Sequence, residues 1–127
     1  MRLIVGLLFL LPLVSLAGCP ENELCKDDHC VCSGNDVCDH ACDTGGLECH
    51  IQGSSGPVDV QCAAGEECNV ECNGASSCEV ECNNATECHV TCPATGCTVS
   101  ECSGTSCVVS CGLGGPATRT GTTATCP

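Results

Sequence analysis

The sequence predicts an all-β, disulfide-rich fold, a narrow β-solenoid. Three observations predict it. A Cys-x-Val-x-Cys unit recurs about every ten residues, nineteen cysteines crowd into 127 residues, and the chain holds almost no aromatic side chains from which to build an ordinary core. Repeats of one short unit mean a stacked array, because each unit buries its apolar face only against its neighbours.

The unit is clearest in Cys68-Asn-Val-Glu-Cys72, Cys78-Glu-Val-Glu-Cys82 and Cys88-His-Val-Thr-Cys92, and continues in Cys97-Thr-Val-Ser-Glu-Cys102 and Cys107-Val-Val-Ser-Cys111. Weaker copies precede these: Asp28-His-Cys30-Val-Cys32, Cys38-Asp-His40-Ala-Cys42, Cys49-His-Ile51-Gln-Gly53 and Val58-Asp-Val60-Gln-Cys62. Alternation at period two is the signature of a strand. It puts Cys, Val and Cys on one face and Asn69/Glu71, Glu79/Glu81 and His89/Thr91 on the other. The intervening loops are rich in Asn, Gly, Ser and Thr, which is turn chemistry. Their small central residues, Ala75, Ala85, Ala94 and Gly104, are expected to press against the inside of the coil. The expected coil is one short strand and one turn. In cysteine rhythm alone it resembles the small disulfide-rich antifreeze β-helices. The alternative is an antiparallel meander with each disulfide closing a hairpin loop.

Geometry limits the pairing of the cysteines. Residues i and i+4 of one strand lie about 13 Å apart at strand rise, whereas a disulfide needs Cα atoms within about 7 Å. Either the last cysteine of one unit bonds the first of the next, or equivalent cysteines stack between units. The 49–62 region favours the first option. Gly53 and Val58 replace the last cysteine of one unit and the first of the next, so two would-be partners are lost together. Sequential pairing gives Cys25–Cys30, Cys32–Cys38, Cys42–Cys49, Cys62–Cys68, Cys72–Cys78, Cys82–Cys88, Cys92–Cys97, Cys102–Cys107 and Cys111–Cys126. Connectivity is not fixed by sequence; a Cys72–Cys82 link in a mass map of the oxidised protein would refute this set. Each short loop closed contributes about 2 kcal/mol on the chain-entropy estimate.

The chain opens on Met1-Arg2 and an apolar run from Leu3 to Leu16. That run is shorter than the roughly 20 apolar residues that span a bilayer, and it has the layout of an export signal. It ends in Leu16-Ala17-Gly18-Cys19, which resembles the lipobox of bacterial lipoproteins. The resemblance implies that Cys19 carries lipid and becomes the new N-terminus. Lipidation leaves eighteen cysteines, an even number. An ordinary signal peptide cut after Ala17 would strand one thiol in an oxidising compartment. The expected organisation is a signal peptide at 1–18, a lipidated tether and cap at 19–27, the repeat domain at 28–111, and an irregular Gly/Thr-rich tail at 112–127 pinned by Cys126. Lipobox and repeats together are similar to cysteine-rich repeat lipoproteins of the myxobacterial type. That resemblance implies a place in the cell envelope, at the outer membrane or cell surface, and transfers no activity.

The net charge is −13. Residues 19–127 keep only Lys26 and Arg119 against sixteen Asp and Glu. Nucleic acid is excluded as a partner, since phosphate binding needs clustered cations. The same charge weighs against anionic headgroups, so the membrane contact expected is the lipid itself. Stacking on bases or sugars is excluded for the exported part, whose one aromatic, Phe9, leaves with the signal.

The chemistry-bearing residues point away from catalysis. The cysteines are expected to be paired rather than to hold metal as thiolates, given the export signal. His29, His40, His50 and His89 form no His-x-x-x-His pair, and His40 stands where other units hold Val, so it is expected to point inward. No Gly-x-Ser-x-Gly elbow is present. The reading is a non-enzymatic, rigid structural or binding module without a cofactor. The alternative is weak calcium binding: if units stack one strand apart, Glu71, Glu79 and Glu81 crowd together beside Asn73, Asn83 and Asn84, and a hard cation relieves them. An ice-binding face would need a Thr array, and only Thr91 and Thr98 fall in neighbouring units.

Overall fold

The computed structural model describes residues 23–127, with side chains from Lys26 onward. The leader, Cys19 and the Cys25 side chain lie outside the described residues. The chain is all β: β1 (Glu23–Lys26), β2 (His29–Cys32), β3 (Cys38–Ala41), β4 (Glu48–Gln52), β5 (Val58–Gln61), β6 (Glu67–Glu71), β7 (Cys78–Glu81), β8 (Glu87–Thr91), β9 (Cys97–Ser100), β10 (Cys107–Ser110), β11 (Thr118–Thr120) and β12 (Thr123–Cys126).

These strands form two six-stranded sheets, ordered β1-β2-β4-β6-β8-β10 and β11-β12-β9-β7-β5-β3. Below we term them the first and second sheet. From β2 to β10 successive strands alternate between sheets, and each strand from β2 to β8 pairs in parallel with the strand two further on. The fold is therefore the solenoid, but its coil is larger than one strand and one turn. Cys49, Cys68, Cys88 and Cys107 stack in one column, 19, 20 and 19 residues apart. Each coil takes two ten-residue units. The reason lies in chain length. A strand of four residues advances about 13 Å, and a five-residue loop returning to its start would leave its backbone groups unpaired. Turning into an opposed strand lets both directions of travel hydrogen-bond.

The core is one layer of side chains between the sheets. Cys30, Ile51, Val70 and Val90 stack centrally on the first sheet, and Val60, Val80 and Val99 on the second. All seven are at most 2 % exposed. Cysteines flank the aliphatic ones among them and close the corners, except where Gly53 and Val58 replace them beside Ile51 and Val60. The bonds Cys42–Cys49, Cys62–Cys68, Cys82–Cys88 and Cys102–Cys107 form a ladder along one edge. Cys32–Cys38, Cys72–Cys78, Cys92–Cys97 and Cys111–Cys126 form another along the opposite edge. Each bond joins one sheet to the other, with Cα–Cα separations from 5.3 to 6.1 Å. Cys30 is disulfide-bonded too, and the backbone register sets it opposite Cys25. So many disulfides mark an oxidising, extracytoplasmic environment.

The second ladder lacks one rung, at Gly53 and Val58. Val58 is 2 % exposed and fills the corner with its methyl groups. A Cβ on Gly53 would lie 2.6 Å from Val58 Cγ2. The glycine is therefore required by the valine. We predict that Gly53→Cys alone destabilises the fold, whereas Gly53→Cys with Val58→Cys completes the ladder and adds about 2 kcal/mol of stability. Denaturant melts of the two variants, with a free-thiol assay on the second, check this.

Loop and end structure differ in part from expectation. Ala75 is buried and Ala85 partly so, but Ala94 and Gly104 are exposed. In the 92–97 loop the buried corner residue is Pro93 instead. The extra residue in the 97–102 unit, Glu101, takes a left-handed φ of 51° and bulges out before Cys102. The 112–127 segment is not irregular. β11 and β12 form an antiparallel hairpin, and β12 joins the second sheet against β9. At the other end β1 pairs antiparallel with β2. Each sheet thus carries a reversed strand at one end, which covers an edge that would otherwise continue the parallel stack. Arg119 ties the carboxyl-terminal hairpin down, donating to the carbonyls of Cys102 at 3.2 Å and Cys107 at 2.7 Å.

Candidate functional site

The outward face of the first sheet collects three of the four histidines. Register aligns His29, His50, Asn69 and His89 in one row, and Val31, Gln52, Glu71 and Thr91 in the next. The His29 and His50 rings sit 5.7 Å apart, tilted by 58°. His50 Nε2 approaches Glu71 at 3.8 Å, and His89 Nε2 approaches Glu87 at 3.5 Å. These groups are half-exposed and spread along the row.

The outward face of the second sheet is acidic. Asp39, Asp59 and Glu79 stack in register on β3, β5 and β7. A second acidic column, Glu48, Glu67 and Glu87, runs along the first sheet. The expected trio of Glu71, Glu79 and Glu81 is not brought together. Glu71 lies on the first sheet between Gln52 and Thr91, while Glu79 and Glu81 lie on the second. The cause is the two-strand coil, which makes neighbours of residues twenty apart rather than ten. Thr91 and Thr98 likewise fall on opposite sheets; Thr98 aligns instead with Thr125 and Thr118 of the carboxyl-terminal hairpin, a row only three residues long. Asp59, like Glu67, has a carboxylate on each side. We predict that Asp59→Asn raises stability by about 0.2–1 kcal/mol, the size of a cross-strand pair, with the gain shrinking in high salt; parallel urea melts at two ionic strengths test it.

A third cluster lies at the amino-terminal corner, where three turns meet. Asp27 and Asp28 make the β1–β2 turn in left-handed conformation, with φ of 51° and 59°. Asp and Asn tolerate that region better than most side chains. Asp28 Oδ1 accepts from the Asp43 backbone N–H at 3.3 Å and faces His40 Nε2 at 3.4 Å. His40 occupies the inward column where the next coils hold Val60 and Val80, as its place in the repeat implies. From the β5–β6 loop, Glu66 reaches back to the 43–47 loop, where Gly45 N–H donates to its Oε1. Glu66 is 4 % exposed, and its Oε2 has no hydrogen-bond partner. Sequence reasoning missed Asp28 and Glu66: Asp28 reads only as the first position of a weak repeat copy, whereas the strand begins at His29, and Glu66 lies in a loop outside the repeat. A faint signal existed: Glu66 is acidic where the loop stacked on it, one coil later, holds Thr86.

The cysteine sulfurs also approach one another between coils, with Cys82 Sγ 3.7 Å from Cys107 Sγ. From Cys30 onward every cysteine is disulfide-bonded, so these offer no thiolates to a metal or a substrate. No family model, curated protein or solved structure matches the chain.

Proposed function

We propose that the chain is an exported, lipid-anchored protein of the bacterial cell envelope, in which the solenoid is a rigid, non-enzymatic structural or binding module. The observation that carries this reading is Leu16-Ala17-Gly18-Cys19, set directly after an apolar leader. Cysteine parity supports it, since pairing every later cysteine leaves Cys19 over. The solenoid suits such a role. Its polar faces are flat and held at fixed spacing by covalent rungs along both edges. Residues 19–27 serve as tether and cap in this reading, and the acidic faces keep the body off an anionic membrane surface.

Fractionation of cells expressing the full chain tests the anchor. Wild type should sediment with membranes, and Cys19→Ala should move to the soluble exported fraction. Retention of Cys19→Ala in membranes would refute the anchor. Capture of a specific envelope component on the immobilised solenoid would separate binding from a purely structural role.

A further inference from the structure

We propose that the chain binds one divalent cation between the carboxylates of Asp28 and Glu66, a site that depends on neither the lipid anchor nor the outer sheet faces. In each carboxylate one oxygen is pinned: Asp28 Oδ1 by Asp43 N–H and His40, and Glu66 Oε1 by Gly45 N–H. The other two oxygens converge. Asp28 Oδ2 and Glu66 Oε2 each lie 3.3 Å from one point, the position a Cβ on Gly46 would take. They are thus no more than two such lengths apart, and glycine leaves the space beside both of them open.

A buried carboxylate oxygen without a partner costs about 1–3 kcal/mol, more when charged. A second carboxylate facing it raises that cost. Both penalties vanish if a cation sits between them. The free donors are carboxylate oxygens, which select a hard ion. Calcium, at about 2.3–2.6 Å from each ligand, would bridge the two oxygens once they close to about 5 Å, and would complete its shell with water on the exposed Gly46 side. His40 serves as a positioning residue, holding Asp28 so that Oδ2 turns inward, as outer-shell groups do at metal sites. The ion would tie together the β1–β2 turn, the 43–47 loop and the 62–66 loop, which belong to consecutive layers of the stack.

Calorimetric titration of the folded, oxidised protein with Ca²⁺, and separately with Zn²⁺, tests this. The expected result is saturable binding of one Ca²⁺ per chain, weakened about tenfold or more by Glu66→Gln or Asp28→Asn, each of which removes ligand charge. Glu79→Gln, on the second sheet, should leave it unchanged. Gly46→Ala should weaken binding while keeping both carboxylates, which covers the case in which Glu66→Gln fails to fold. Absence of saturable heat would overturn the proposal, as would equal loss in Glu79→Gln, the mark of diffuse counterion attraction. Tighter binding of Zn²⁺ that is lost in His40→Ala would overturn the choice of an oxygen-ligated ion.

Discussion

Full reduction of the oxidised protein is expected to unfold it under otherwise native conditions. The apolar interior is a single layer to which most strands contribute one aliphatic side chain. A core so thin leaves little to offset chain entropy. Disulfides restrict the unfolded chain instead, at about 2 kcal/mol for loops of six or so residues. The eight bonds described here together match or exceed the roughly 5–15 kcal/mol net stability of an ordinary domain. Far-UV circular dichroism in excess reductant should therefore show loss of the strand signal at room temperature. A reduced protein that kept its strand signal would mean that valine packing and backbone pairing suffice.

The largest effect of a single apolar truncation is expected at Ile51. Its side chain is fully buried, at 0 % exposure, and is the bulkiest of the core. It stacks between Cys30 and Val70, in the coil whose corner lacks a disulfide. Ile51→Ala removes three heavy atoms from a layer bounded by covalent rungs above and below. The neighbours cannot collapse into the space, so the cost should fall at about 2–5 kcal/mol. Val108→Ala, at 45 % exposure on β10, should cost under about 0.5 kcal/mol. Equal effects at the two positions, measured by denaturant melts, would contradict the assigned interior.

The strands and their inward faces were legible because a period of two in Cys-x-Val-x-Cys admits one reading. The missing rung was legible too, since Gly53 and Val58 depart from the repeat together. The coil was not. A ten-residue sequence period is compatible with a ten- or twenty-residue structural period, because the two sheets carry the same pattern and nothing local marks which sheet a strand joins. That ambiguity misplaced Glu71, Glu79 and Glu81, whose side chains do face outward but on different sheets. The approach of Asp28 and Glu66 to Gly46 was illegible for another reason. It joins two loops 38 positions apart in a chain where loops read as solvated turns. The reversed β11–β12 hairpin hid in a Gly/Thr-rich segment whose composition suits a loose tail as well as a short ribbon.

The twenty-residue coil is the central claim, and inter-strand nuclear Overhauser contacts between backbone protons test it most directly. The account predicts contacts between Val70 and Val90 and between Val80 and Val99, which are register partners in parallel strands. Antiparallel contacts between the backbones of β6 and β7, pairing strands ten residues apart as in a meander, would contradict it.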